Sequence, residues 1–381
     1  MPDCAGPLWP CGLTGAAACL SGIRGMGVII HGSAGCYFYP ATAIHRPLYC
    51  TSLTDQDIIH GTDESLFRTI DSLKEKYPCI SVLCTCIPSI IGEDIRATLE
   101  DRYGDSARIF VLDAPGFIGE YETGYIAALS CLHFIESDSR QEHVNIDGLS
   151  LMDPFWRGNL QEIERLLRLA GAGCGATLCA GDISHDSKLS PCTVHANPDL
   201  MSGHGKSLGS LFGIKKIKET IALLEDRYSE GDGVLSENYL PDAEERIVSS
   251  CDKYLKRFDP PRVVLSGQCV SMEEIASMLA EYLGAEILGI ASRNAPVQGK
   301  YPVELIRDYG TMQEMLELKC PDLILGSSFE HTAFPPAAFV GITPPLRGTV
   351  KLHARPLAGI EGALALMESV LNACMDHQKP I

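Results

Sequence analysis

Along this chain, short runs rich in β-branched residues alternate with segments whose apolar residues recur every three or four positions. Gly27–His31, Ile80–Thr85, Arg108–Asp113, Val144–Leu151, Ala176–Ala180, Arg262–Ser266, Glu286–Ile290 and Asp322–Gly326 read as strands. Between them, Ser65–Lys76 carries Leu66, Phe67, Ile70 and Leu73 on one helical stripe, and Asn159–Ala170 carries Leu160, Ile163, Leu166, Leu167 and Leu169. Ile214–Asp226 and Ser271–Leu283 repeat the pattern. A strand that returns through a helix to the next strand pairs in parallel. The alternation therefore predicts an α/β chain of three Rossmann-like domains, each a parallel sheet flanked by helices. The expected domains are residues 1–140, 141–258 and 259–381. A polar stretch at 136–142 closes the first, and Phe258-Asp259-Pro260-Pro261 breaks the second from the third. Residues 228–245 read as an acidic connector.

Composition narrows the function classes. The 381 residues carry a formal net charge of −18, which repels nucleic acid and anionic membranes and suits a partner with a basic docking face. Residues 4–23 are uncharged, but Pro7, Pro10, Gly6, Gly12 and Gly15 interrupt them, so they do not read as a membrane span. The first basic residue is Arg24, and no charged leader precedes an apolar segment. The expectation is a cytoplasmic protein. Its 16 cysteines then read as thiols in a reducing compartment rather than a disulfide framework. Cys19, Cys79, Cys131, Cys251 and Cys374 sit in apolar or helical contexts, and Cys174 and Cys179 likewise read as core thiols.

Three other cysteines stand in glycine-rich turns at expected helix starts: Cys11 in Pro10-Cys11-Gly12-Leu13-Thr14-Gly15, Cys36 in Gly32-Ser33-Ala34-Gly35-Cys36, and Cys86 before Gly92-Glu93-Asp94. A helix is expected over Leu13–Ile23, and another from about Glu93. Cys36 and Cys86 each follow a strand, which places them at one edge of one sheet, where doubly wound folds gather ligands. Helix N-termini lower thiol pKa values, and their N–H groups can bond to a cluster's sulfurs. Three thiols are one short of the usual four for a [4Fe–4S] cluster, so the fourth ligand comes from another subunit or from a neighbour such as Cys84. On spacing alone, zinc or plain buried thiols stay open. Gly203-His204-Gly205-Lys206-Ser207 ends like a nucleotide-binding loop, but Leu200 stands where its first glycine belongs.

Taken in order, these motifs resemble the nitrogenase component 1 superfamily of nitrogenase subunits, cofactor-assembly scaffolds and tetrapyrrole reductases. Asp57-Ile58-Ile59-His60-Gly61 and Ala114-Pro115-Gly116-Phe117-Ile118-Gly119 add to the likeness. The resemblance implies that Cys11, Cys36 and Cys86 hold an iron–sulfur cluster, [4Fe–4S] or P-cluster-like, shared across a subunit interface. It implies a homologous second subunit, in a homodimer or a heterodimer or heterotetramer, and an ATP-hydrolysing iron protein as electron donor. The expected function is a component-1-like subunit of a two-component oxidoreductase. The alternatives are a metallocofactor scaffold, a tetrapyrrole reductase or reductive cyclase subunit, and, more remotely, a non-redox binding protein.

The departures lie at the second cofactor. The family's cofactor cysteine falls at Ala196 or Asn197 here, with Cys192 reaching it only by a strand shift. His353 stands six residues before Gly359, whereas the family histidine lies further upstream. That argues against dinitrogen reduction on a molybdenum–iron cofactor. Cys192, His195 and His353 remain polar candidates for the interdomain cleft, with Cys269 a weaker one. Arg24 and His31 flank the Cys36 turn, His31 as a strand-end support. His45 and Arg46 follow the Cys36 helix, and Asp153 with Arg157 reads as a helix cap.

Overall fold

A computed structural model describes residues 8–104, 108–132, 134–136, 141–180, 188–229 and 233–377. The expected boundary at 140 and part of the 228–245 connector lie outside them. The first sheet is built from β1 (Met26–His31), β2 (Tyr49–Cys50), β3 (Cys79–Cys84) and β4 (Ile109–Asp113) in the order β2-β1-β3-β4. Around it stand α1 (Gly12–Leu20), α2 (Ala34–Ile44), α3 (Asp55–His60), α4 (Asp63–Leu73), α5 (Cys86–Ile91), α6 (Ile95–Tyr103) and α7 (Tyr121–Ser130). A two-stranded ribbon joins β5 (Ile135–Glu136) to β8 (Lys188–Leu189). The second large sheet holds β6 (His143–Asp147), β7 (Gly173–Thr177), β9 (Cys192–His195) and β10 (Lys206–Ser210) in the order β10-β9-β6-β7. Against it pack α8 (Trp156–Leu169) and α9 (Ile214–Tyr228), and α10 (Leu240–Leu255) leads on to the third sheet. The third runs β13-β12-β11-β14-β15, from β11 (Arg262–Gly267), β12 (Glu286–Ser292), β13 (Val303–Leu305), β14 (Leu323–Gly326) and β15 (Ala338–Gly341). Its helices are α11 (Cys269–Leu283), α12 (Tyr309–Lys319), α13 (Ser328–Ala333) and α14 (Gly359–His377).

Every strand pairing among the described residues is parallel, as the alternation demands. The stripe on α8 packs as its period predicts, with Ile163, Leu166 and Leu167 fully buried. Each contributes about 1.5–3 kcal/mol by leaving water. Two expectations change. Much of the acidic connector is helical, with a π turn over Leu235–Tyr239 running into α10. A helix does start near Glu93, α6 with its cap at Asp94, but Cys86 is itself the first residue of a separate helix, α5, where Pro88 is tolerated because first-turn N–H groups have no intrahelical acceptor. No described helix is long and apolar enough to cross a membrane.

Helices α1 and α7 lie backbone against backbone. A Cβ on Gly15 would strike the carbonyl of Tyr121, and one on Gly124 would strike that of Gly12. A bridge pairs Cys11 with Glu120 at the start of this contact, and Gly12 N–H donates to the Gly119 carbonyl at 3.0 Å. The close approach fixes where Cys11 sits relative to the loop that follows β4.

The thiol reading needs one correction. Cys19 on α1 and Cys179 just beyond β7 are disulfide-bonded, with Cα atoms 4.7 Å apart. Their separation of 160 residues left no local signal.

Candidate cluster-binding site

Cys11 is the N-cap of α1, Cys36 lies in the first turn of α2, and Cys86 opens α5. The strand register brings them together. Paired β1 and β3 end level, His31 beside Cys84, and β4 ends beside them at Asp113. The loops beyond these ends therefore share one edge. Gly116, in the loop after β4, donates its N–H to Cys86 Sγ at 3.1 Å. A Cβ on Gly116 would lie 3.3 Å from Cys11 Sγ and 3.7 Å from Cys86 Sγ. Ser33 Oγ reaches Cys36 Sγ at 3.7 Å.

The electrostatics differ from the helix-dipole expectation. Burial pushes the Cys11 and Cys36 thiols up, outweighing the Leu13 and Thr14 N–H groups that pull Cys11 down. Cys11 and Cys36 each raise further against Cys86. Grouped thiolates here need positive charge from something bound. Thr85 Oγ1, buried beside Cys36, hydrogen-bonds that thiol and pulls its pKa down against the larger effect of burial. Among the described residues, no group of three or more His, Cys, Asp or Glu could hold a single metal ion. A polynuclear centre would spread its ligands wider than one ion does. The donor set fits such a centre.

An apolar rim surrounds the thiols. Phe38 and Tyr39 on α2, Ile90 and Ile91 on α5, and Phe117 and Ile118 beside Gly116 all reach solvent, Phe38 and Ile90 at 70% and 71% exposure.

Residues 11–375 match the family described as nitrogenase component 1 type oxidoreductase. The chain belongs to this family. It is 30% identical over 235 residues to the nitrogenase iron-molybdenum cofactor biosynthesis protein NifE of Clostridium pasteurianum, covering 57% of this chain and 51% of that protein. It thus spans about half of that relative. To NifE of Sinorhizobium fredii it is 25% identical over 374 residues, 87% of this chain and 74% of the relative. The nitrogenase molybdenum-iron protein beta chain of Bradyrhizobium diazoefficiens is 27% identical, with 71% and 54% covered. The solved structure titled nitrogenase Cp1 at pH 6.5 shares the fold, with a TM-score of 0.82 at 16% identity, covering 99% of this chain and 94% of that one.

Within this nitrogenase component 1 fold, the remaining candidates scatter. Cys84 closes β3 but faces the opposite layer with Leu66, Ile70 and Leu99, and burial pushes its thiol far up. Cys192 opens β9, at the strand end away from the cleft, and is buried in the core of the second sheet. His353 is exposed in a groove beside Lys351 and Arg355. His195 is held between Asp147 (Nδ1 to Oδ2, 3.3 Å) and Ser207 (Nε2 to Oγ, 3.0 Å). Cys269 opens α11 and accepts the Val297 N–H at 3.3 Å. His31 is a support, as expected. Thr62 Oγ1 donates to Glu93 at 2.5 Å, so His31 Nε2–H donates to Thr62 Oγ1 at 3.0 Å. Burial lowers the His31 pKa to about 4, which keeps the ring neutral. Asp153 does not cap α8, whose N-cap is Phe155; it closes the turn before the helix, accepting the Phe155 N–H at 2.9 Å.

Sequence reasoning missed a junction where the three large sheets meet. Trp9 Nε1–H donates to Glu122 at 3.1 Å, and Gln268 Nε2–H donates to it at 2.5 Å. Gln268 accepts from Asn197 at 2.7 Å, and Asn197 accepts from Ser271 at 3.1 Å. Asp199 then caps α11 through the Val270 and Ser271 N–H groups at 3.0 and 2.8 Å. A cavity of about 50 Å³ adjoins, lined by Trp9, Tyr121, Asp153, Asn197, Gln268 and Thr343 among others, with neither thiol nor imidazole. A second metallocofactor does not fit this lining. The only advance signal was Trp9, two residues before Cys11.

Glu122 gives this junction a pH signature. Desolvation raises its pKa to about 7 against the bonds from Gln268 and Trp9, with Asp199 adding to the rise. Native Glu122 therefore keeps a proton that the unfolded chain releases, and stability falls as pH rises from the ordinary carboxylate range through about 7. Glu122→Gln should flatten that fall in thermal melts at about pH 5 and about pH 8. Asp153, which burial raises to about 6, adds a slope of the same sign, and His31, lowered to about 4, adds one of the opposite sign, so the test is the difference between the variant and the wild type. An unchanged slope in the variant would assign the proton elsewhere.

Proposed function

We propose that this chain is the component-1-like subunit of a cytoplasmic two-component reductase, with Cys11, Cys36 and Cys86 holding an interface iron–sulfur cluster. The observation that carries this reading is the convergence of three part-buried thiols inside an exposed apolar rim. Such a rim marks a protein contact. A homologous subunit seated on Phe38, Ile90 and Phe117 would exclude water from the thiols and supply the missing ligands. A bound cluster would supply one-electron redox chemistry, fed by an ATP-hydrolysing iron protein. The Gly116 N–H would orient the Cys86 thiolate and stabilise its charge. Trp9, two residues before Cys11, lines the three-sheet cavity, where a small acceptor would bind beside Trp9 and Gln268.

A second reading, a scaffold for metallocofactor assembly, is favoured by relatives whose names are those of cofactor biosynthesis proteins. The lining of the central cavity weighs against a large cluster held there. Anaerobically purified protein should be brown, with about four or more iron atoms per dimer and an EPR signal on reduction. Colourless, iron-free protein from cells with cluster supply overturns both readings. Multiple turnovers with an iron protein and ATP favour the reductase; a single loading event favours the scaffold.

A further inference from the structure

A second cavity lies apart from the thiols, none of which lines it. It is a groove of about 740 Å³ between α10 and α14, within the size range of small-molecule sites. Arg246, Ser250, Lys253 and Arg257 line one wall, spaced three or four residues apart on one face of α10 and the turn after it. Arg355 enters from the loop before α14. The floor is apolar, from Ile247, Leu364, Met367 and Leu371.

The charge balance separates this groove from an ordinary solvated face. Acidic residues outnumber basic ones in the chain, 49 to 31, yet the lining carries four cations against Glu361 and Glu368. Arg355 pairs with Glu368 at 2.5 Å, and Arg246 with Asp242 at 3.7 Å. Lys253 and Arg257 have no ion-pair partner among the described residues. Near α10, Lys218 pairs with Glu244 at 2.6 Å and Arg262 with Glu286 at 3.9 Å, both outside the groove. A neighbouring cavity of about 400 Å³ shares Arg355, Pro356 and Ala365 and adds Lys351 from the loop before α14.

We infer that this groove is a binding site for a compact organic anion bearing two or more carboxylate or phosphate groups on an aliphatic body. Guanidinium forks suit either oxyanion, and the apolar floor suits the body. The site is independent of the thiols and does not rest on the redox reading.

Calorimetry on the full, cluster-free chain tests it, with citrate and pyrophosphate as probes at about 0.15 M ionic strength. The wild type should bind at least one probe saturably; citrate alone assigns carboxylates, pyrophosphate alone phosphates. Lys253→Glu/Arg257→Glu should weaken binding by at least about tenfold, since two charge-assisted contacts are lost. Lys253→Gln/Arg257→Gln, which adds no like charge, should weaken it less, and covers the case in which the reversal variant misfolds. Lys256→Glu, exposed beside the groove but outside its lining, should bind as wild type does. No saturable binding, full binding by both double variants, or an equal loss in Lys256→Glu would each overturn the assignment.

Discussion

Replacing Cys86 by alanine is expected to strip the anaerobically purified protein of most of its iron and its EPR signal, while replacing Cys84 leaves both unchanged. The two thiols are two residues apart and differ in everything that matters to a ligand. Cys84 is the last residue of β3, 1% exposed, packed with Leu66 and Leu99 on the far side of the sheet. Its burial holds the proton on, so it offers no thiolate. Cys86 is half-buried at a helix start, accepts the Gly116 N–H, and stands near Cys11 and Cys36. Cys36→Ala should match Cys86→Ala, because losing one of three local anchors leaves too few to retain a cluster. Cys84→Ala should cost only about 1 kcal/mol of stability, from the small cavity it leaves. Equal iron in all three variants would refute the ligand assignment.

The second large effect is expected from Gly124→Val, which touches no thiol. The added side chain would push into the Gly12 carbonyl across the α1–α7 contact. Backbone cannot yield as a flexible side chain does, so the cost is at the upper end of overpacking, about 3 kcal/mol or more. Relief requires α1 to move away from α7, and α1 begins at Cys11. The variant should therefore melt lower and lose iron together, whereas Leu318→Ala, at a side chain 85% exposed, should change neither. Normal melting and full iron content in Gly124→Val would show that this helix pair does not set the Cys11 position.

Much of the fold could be read from the chain because buried central strands are continuous apolar runs. Val28-Ile29-Ile30, Val82-Leu83 and Val263-Val264-Leu265 are each buried and each lies in an expected strand. The strands that escaped notice are short or mixed in polarity. Tyr49–Cys50 has two residues, and Lys206–Ser210 lacks an apolar run. Cys192–His195 follows Ser190-Pro191, which reads as a turn. These segments become strands because a neighbour offers hydrogen bonds, which local sequence does not encode. Helix boundaries moved for a related reason. Pro88 does not stop α5 from starting at Cys86, because it sits in the first turn, where its missing N–H costs nothing.

Sequence by itself determined the parallel α/β class and three cysteines in glycine turns, because these follow from period, strand–helix alternation and local backbone freedom. It could not decide which thiols share a site. Cys84 and Cys86 look alike on paper, but β3 ends at Cys84, whose side chain is buried in a core, and α5 begins at Cys86 beside the Gly116 N–H. Nor could it reveal that Cys19 meets Cys179, that Glu122 joins Trp9 to Gln268, or that Lys253 and Arg257 face α14. Each of these depends on segments far apart in the chain being packed to within a few ångströms, and their chemistry comes from the shared burial and charge that only that packing creates.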